Sequence, residues 1–398
     1  MNIFNKSEIS TLPTTIVYQP ACLTSLPMSA ETSDIWSNGG SGIGTGSDAV
    51  RSAIGEYFER RHFYMEVVPD AIGTLDVSLT ATEQESFMKA FHQTRDESNS
   101  PKNINDHHFN LSEVYRACDW TSCMAPTACI SLSAHQIADD NSIYPLRDTC
   151  GCSFHWDAKL AVFGSMKEQL ERQFLAKFWL TKMCQEIISE DQIFKELYTS
   201  RSRHLFKHLK ASGNVTVIDI SDPLFPGVCI LTVYGSSNSR HVNYCAGMAY
   251  SENLKKALEK SIHELWQTFR FIDLFHATDG DESEIEDSYL RHFLNCNSFE
   301  TYLEISSVVC CAVRAPTHPS KFNADALLTI LKALGIAGFV YLKPITINGV
   351  DHFASKFFSP DLFLHMDNSR NINLRNKYSE SFYDLICESR KQSMVPFP

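Results

Sequence analysis

The sequence predicts an α+β (mixed α/β) fold, and three observations carry that expectation. Short β-branched apolar runs alternate with longer segments whose apolar residues recur at helical spacing. At 398 residues, with 43% hydrophobic and 11% aromatic side chains, the chain can bury roughly three quarters of its unfolded surface. No apolar run approaches the roughly 20 residues of a membrane span, so no membrane contact is expected.

Residues 1–38 hold prolines, threonines and short apolar pieces without a sustained period. They read as an arm or a few edge strands ahead of one unit spanning 39–398. Met1 to Thr15 lacks a cationic region followed by an apolar core, so no signal peptide is visible and a reducing, cytoplasmic setting is expected. A glycine-rich stretch, residues 37–46, feeds Ser47-Asp48, good helix-capping residues. A helix then runs to about Glu66 on the stripe Val50, Ala53, Ile54, Tyr57 and Phe58. Gln93 to His108 is polar and reads as a loop, and Ala128 to Leu132 as a strand. A long helix is expected from about Asp157 to Glu190. Val215–Ile220 and Val228–Tyr234 are β-branched and buried. A helix from about Glu252 to Phe275, an acidic loop at 279–287, a helix from Ala324 to Leu334, a stop at Gly335 and a strand at Phe339–Leu342 complete the order.

With 47 Asp+Glu against 35 Lys+Arg, the formal net charge is −12. That balance argues against nucleic acid as a partner, because affinity for phosphate backbones comes from Lys and Arg. Thirteen cysteines are too sparse for a disulfide scaffold. The group Cys118, Cys123, Cys129, Cys150 and Cys152, with His155 nearby, contains no C-x-x-C, so no zinc site is expected.

The chain holds two Glu-x-x-Glu pairs, Glu56/Glu59 and Glu168/Glu171, each followed at once by arginine, Arg60 and Arg172. A single Glu-x-x-Gln, Glu264/Gln267, sits on another long helix. At i and i+3 the two side chains share a helix face about 5–6 Å apart at Cβ. Each pair can therefore offer two oxygens to one hard cation. Clustered carboxylates without Cys or His suit Mg²⁺ bridging protein to phosphate, and the adjacent arginines can fork onto phosphate oxygens. The ordinary alternative is a solvated Glu-Arg helix face. The glycine stretch leaves two readings: N–H groups at a helix N-terminus that favour phosphate, or a linker. It matches neither a P-loop nor G-x-G-x-x-G, since residue 47 is serine.

The string from Ser52 to Arg61, SAIGEYFERR, resembles the first signature helix of the YcaO family, whose members bind ATP through carboxylate-held Mg²⁺ without a P-loop. Glu168 to Arg172 resembles the second signature and Ala257 to Gln267 the third, in family order, over roughly residues 39–398. The resemblance implies a YcaO-type fold, with sheets flanked by long helices that carry the ATP/Mg site. Asp148 to His155 and the terminus Ser393-Met394-Val395-Pro396-Phe397-Pro398 are similar to the YcaO subunit of microcin-B-type thiazole/oxazole synthetases.

What the resemblance implies is an ATP-dependent cyclodehydratase acting on a ribosomally made precursor peptide. A Cys or Ser of the peptide attacks the preceding carbonyl, ATP phosphorylates the oxyanion, and loss of phosphate leaves an azoline. By motif match Glu56, Glu59, Glu168, Glu171 and Glu264 hold Mg²⁺, Gln267 orients the nucleotide or a metal-bound water, and Arg172 and Arg60 meet phosphate. The alternative for Arg60 is an intrahelical ion pair. Many members carry Gly-Lys-Gly in the glycine loop; this chain has no lysine there, and Ser41 or Ser47 with backbone N–H groups are the substitutes the motif offers. In the subgroup the tail ends in the active site, which makes Pro398 the candidate catalytic residue. A carboxylate near pKa 3.5 facing a thiol near 8.5 leaves full proton transfer uphill by about 7 kcal/mol, so only a concerted role is physical. The alternative is a packed terminal arm. Implied partners are the precursor peptide, an E1-like leader-peptide-binding subunit and a flavin-dependent azoline dehydrogenase, in a hetero-oligomer. Two competing readings are thioamide or amidine formation on the same intermediate, and a scaffold that has lost ATPase activity.

Overall fold

The computed structural model describes residues 13–18, 26–34, 39–44, 46–99, 103–133, 135, 137–285, 288–310 and 321–397; Pro398 lies outside the described residues. Strands β1 (Thr14–Tyr18), β2 (Met28–Ser33) and β3 (Gly39–Gly44) form an antiparallel sheet in that order. Met28 stands opposite Gly44 and Ser33 opposite Gly39, so a boundary at residue 38 falls inside one sheet.

The glycine run expected as a loop is therefore a strand. Gly40, Gly42 and Gly44 alternate on its buried side, against helix α1 (Ser47–Arg61). A Cβ on Gly42 would come within 2.0 Å of the Ala49 carbonyl oxygen, and one on Gly40 within 2.2 Å of that of Ala53. The glycines serve close strand-helix approach. Gly42→Ala should cost about 1–3 kcal/mol through overpacking, read as a lower Tm; an unchanged Tm would show that strand and helix separate freely. The cap position of α1 is Gly46, without a side-chain hydrogen bond, rather than Ser47. A π turn, His62–Glu66, carries the helical segment to its expected end.

Next come β4 (Ala71–Gly73), α2 (Ala81–Thr94), β5 (Phe109–Arg116) and β6 (Ser122–Pro126). The strand expected at Ala128–Leu132 lies earlier, as β6. Pro126 has no N–H for the ladder, and Ile130 and Ser131 donate back to the Thr127 carbonyl at 2.9 and 2.8 Å, closing a turn. β7 (Cys152–His155) leads to α3 (Ala158–Thr181), whose Asp157 cap accepts from the Leu160 N–H. The helix expected to reach Glu190 stops at Lys182, held at φ 59°. The following residues form β8 (Met183–Cys184) and β9 (Glu186–Ile187), where Ile187 pairs with Ile218; tertiary pairing wins over helical propensity.

Helices α4 (Glu190–Glu196) and α5 (Ser202–Ser212) precede β10 (Asn214–Asp219), β11 (Val228–Gly235) and β12 (Tyr244–Ser251). These three strands and β9 form an antiparallel sheet in the order β12-β11-β10-β9, with β12 on its edge. Then follow α6 (Leu254–Ala277), α7 (Ser288–Asn295), α8 (Phe299–Ser306), β13 (Val309–Cys310), α9 (Ala324–Ala333), β14 (Phe339–Ile347) and β15 (Val350–Phe358). A further sheet runs β4-β5-β14-β15-β7, with β6 on β5. The β14-β15 hairpin turns through Asn348-Gly349, both at positive φ as a tight two-residue loop requires.

Helix α3 lies between the two larger sheets. Its Ser165 hydroxyl meets that of Ser355 on β15 at 3.1 Å, and its Glu171 reaches β12. The larger core surrounds α3, α6 and the β9–β12 sheet; a second, with Phe87, Phe91, Phe109, Phe339 and Phe358, lies under the six-stranded sheet. Among the described residues no helix is long and apolar enough to cross a membrane.

Candidate functional site

The three glutamate-bearing helices set their motifs side by side, each carboxylate close enough to feel the next. Glu59 of α1 is repelled by Glu56 and by Glu168 of α3, Glu168 by Glu171, and Glu171 by Glu264 of α6. The five carboxylates thus form one continuous electrostatic chain across three helices. Burial first, and the neighbouring carboxylate second, push Glu59 up to about 7 and Glu264 up to about 8. Glu168 is raised well above its ordinary range by burial and by Glu59. Burial raises Glu171 too, against the opposing pull of Lys167 and Arg172. Glu264 is exposed as a residue and lines the cavity described below, with its carboxylate beside Glu171.

Two of these groups are fixed by the edge strand. The Tyr250 N–H donates to Glu171 Oε2 at 2.5 Å and the Met248 N–H to Glu264 Oε2 at 3.3 Å. Glu56 is fixed from β3 by the Ser41 N–H at 2.7 Å and pairs with Arg60 at 2.5 Å. Arg60 is accordingly engaged in the intrahelical ion pair that was its alternative reading. Both Ser41 donors are committed to carboxylates, the hydroxyl to Glu31 Oε1 at 2.9 Å. Ser47 is exposed at the start of α1, nine residues or about 13.5 Å along the helix from Glu56. The helix N-terminus and the carboxylate pair therefore lie too far apart to share one phosphate. Gln267 sits half-buried one turn beyond Glu264.

Three lysines were missed in the sequence. Lys356 of β15, only 6% exposed, donates to the Asp148 carbonyl at 2.9 Å and offsets the charge of Glu59 and Glu168. Lys167 and Lys260 face Glu171 and Glu264, and Lys260 is lowered chiefly by Lys167. A Lys-x-x-x-Glu spacing on both helices was the available signal; Lys356 has none, being far away in sequence. Burial works against the Arg172 charge, but Cys150, Glu168, Tyr289 and Glu171 more than offset it and keep the guanidinium protonated. Cys150 and Cys152 are buried with thiols pushed well up, so neither is a nucleophile at neutral pH.

Arg172 and Glu264 also line a cavity of about 40 Å³ with Leu231, Ala246, Gly247, Met248, Thr268 and Phe397. The tail is clamped there: Trp179 Nε1 donates to the Ser393 carbonyl at 2.8 Å, Tyr244 to that of Pro396 at 2.9 Å, and Tyr289 to that of Phe397 at 2.7 Å. Arg390 stacks on Trp179, 3.5 Å from the ring centroid. The expected catalytic Pro398 follows directly and lies outside the described residues.

A family model described as YcaO cyclodehydratase, ATP- and Mg²⁺-binding, matches residues 40–346. The chain belongs to the YcaO family. Over 415 aligned residues it is 32% identical to the microcin B17-processing protein McbD of Escherichia coli, covering all of both chains. It is similar to a chain of the E. coli microcin synthetase McbBCD complex with pro-MccB17 bound, at TM-score 0.85 and 31% identity over 98% of each chain. It shares its fold with YcaO from Methanopyrus kandleri, solved with AMPPCP and Mg²⁺, at TM-score 0.54 and 13% identity over 88% of this chain and 86% of that one. As a YcaO enzyme this chain is an ATP-dependent, Mg²⁺-using cyclodehydratase.

The donor set fits that metal. Carboxylates held close enough to repel one another, Glu171 buried and Glu56, Glu59 and Glu168 half-buried, offer the oxygen ligands a hard divalent cation takes. Among the described residues no three acidic, His or Cys side chains converge on a ready-made cation cage.

Proposed function

We propose that this YcaO chain is the ring-forming subunit of a thiazole/oxazole synthetase, converting Cys or Ser of a ribosomally made precursor peptide to azolines. The observation that carries the reading is the chain of five glutamates from α1 through α3 to α6, ending beside the cavity that holds the tail. Bound ATP with Mg²⁺ supplies a transferable phosphoryl group to an oxygen that is otherwise a poor leaving group. Glu56, Glu59, Glu168, Glu171 and Glu264 hold the metal, Gln267 orients the nucleotide, and Arg172 meets phosphate. Arg60 acts through Glu56, and Ser41 positions Glu56 instead of touching phosphate. Ser47 has the weakest claim of the sequence candidates, because it lies at the far end of α1.

At the peptide, the Cys sulfur or Ser oxygen bonds to the preceding carbonyl carbon, and the C=O pair moves onto oxygen. The nucleophile's proton passes to a base as that bond forms, and the tail ending in Pro398 carries the base. ATP bound at the site would supply the phosphoryl group to that oxyanion, with ADP as the leaving group, and loss of phosphate together with the amide proton would leave a C=N bond. The whole 39–398 unit, with the strands before it, serves one site. The fold likeness to a chain of a synthetase complex supports partners that bind the leader and oxidise the azoline: an E1-like subunit and a flavin-dependent dehydrogenase. The same tail, clamped by Trp179, Tyr244 and Tyr289, favours azolines over thioamide or amidine formation.

Mass spectrometry of the precursor, incubated with this protein, its partners and ATP, should show loss of one water per ring. No loss of water with any partner set would overturn the proposal. In the same assay, two residues added after Pro398 should suppress ring formation while nucleotide affinity holds.

A further inference from the structure

The edge of β12 carries a donor that neither the motifs nor the family match assigns. Its register with β11 is unbroken from Tyr244 opposite Gly235 to Ser251 opposite Val228. In an antiparallel pair, N–H groups point alternately to the partner and away from it. Just before the strand, the Ser236 N–H donates to the Asn243 carbonyl, which sets the phase: the N–H groups of residues 244, 246, 248 and 250 point away from β11. Three of these four end on side chains. Tyr244 donates to Asn297 Oδ1 at 3.0 Å, Met248 to Glu264 and Tyr250 to Glu171. Ala246, the remaining one, lines the cavity beside Arg172, Glu264 and Phe397.

That cavity, about 40 Å³, exceeds the 10–15 Å³ or so that one water needs and suits a group the size of an acyl oxygen with its carbon. Its walls offer a guanidinium, a carboxylate anchored to the same strand and the end of the tail. Gly247 is pinned from the other face, where a Cβ would fall within 2.0 Å of the Leu265 nitrogen, so α6 holds the strand rigidly in place. A fixed backbone donor aimed where negative charge develops needs no reorganisation during reaction.

We infer that the backbone N–H of Ala246 is an oxyanion donor, stabilising the amide oxygen of the precursor peptide as the Cys or Ser nucleophile adds to its carbonyl carbon. The inference rests on the ring-forming reading of this site. As the C–S or C–O bond forms, the C=O electron pair collects on the oxygen facing Ala246, and the nucleophile's proton leaves toward the tail. Phosphoryl transfer would then convert that oxyanion to a phosphate ester, the leaving group of the ring closure.

The test is carried out in the reconstituted synthetase with precursor peptide and ATP. Ala246→Pro removes this N–H and leaves the β11 ladder intact, since proline is tolerated where a strand's N–H faces away from its partner. An ester in place of the Ala246 amide removes the same hydrogen without changing φ, and decides the matter if the proline variant does not fold. Both should lower the rate of peptide-dependent phosphate release about 10²- to 10³-fold, with affinity for Mg²⁺ and ATP unchanged. An unchanged rate in the ester variant would overturn the inference. So would an equal loss of nucleotide affinity, which would assign the N–H to the nucleotide. Glu171→Gln run in parallel separates the two levels: full turnover there sinks the site reading itself, whatever Ala246 does.

Discussion

Replacing Glu171 or Glu56 with alanine should bring peptide-dependent phosphate release to background while the protein stays folded. Each carboxylate holds two roles that can be separated. Glu171 accepts the Tyr250 N–H and Glu56 accepts the Ser41 N–H, so alanine leaves a donor unmet at a cost of about 1–3 kcal/mol. That shows as a lower Tm and is smaller than the several kcal/mol a metal contributes to a phosphoryl-transfer site. Glutamine at either position keeps an acceptor oxygen for the N–H but gives up the charge. Glu171→Gln and Glu56→Gln should therefore restore much of the lost Tm and none of the turnover. Normal turnover in the alanine variants would remove both residues from the metal site.

Metal-free protein should lose stability as pH rises from about 5 to about 8, and Mg²⁺ with ATP should return more of it at the alkaline end. The sign follows from the raised carboxylates. Glu59 stands at about 7 and Glu264 at about 8 in the folded chain, against an ordinary value of 4.5; Glu168 and Glu171 move the same way. Below the ordinary value both states are protonated. Above it the unfolded chain ionises freely while the folded chain resists, so stability is lost until the pH passes the folded values. Bound Mg²⁺ takes the place of those protons, and nucleotide affinity should rise with pH and vanish with EDTA. Half-buried His155 and His263 and buried His365 are lowered by burial and act in the opposite direction, so the comparison with Glu59→Gln isolates the carboxylate part. A pH-independent gain in Tm from Mg²⁺ and ATP would show that no protons are displaced.

The candidate ligands were legible in the sequence because i, i+3 spacing on a helix is local: Glu56/Glu59, Glu168/Glu171 and Glu264 needed only three helices set side by side. Their partners were not. Lys356 reaches Glu59 across nearly 300 positions, and the N–H groups of Met248 and Tyr250 depend on which edge of a sheet β12 occupies. The glycine run was read by composition as a loop, although its alternation at 40, 42 and 44 carried the period of a strand. The end of α3 was misplaced because residues 183–187 pair with distant strands, which no local propensity records.

The order of strands in the six-stranded sheet has a consequence during synthesis. β5 ends at Arg116, and its neighbour β14 begins at Phe339. A ribosome adding about 5–20 residues per second takes roughly 10–45 s to cross the 222 residues between them. Through that interval Phe87, Phe91 and Phe109 wait for Phe339 and Phe358, the aromatics that close their core. The nascent chain thus presents a greasy half-sheet to its surroundings for tens of seconds, and yield in cells should depend on chaperone capacity and translation speed more than on the stability of the finished enzyme.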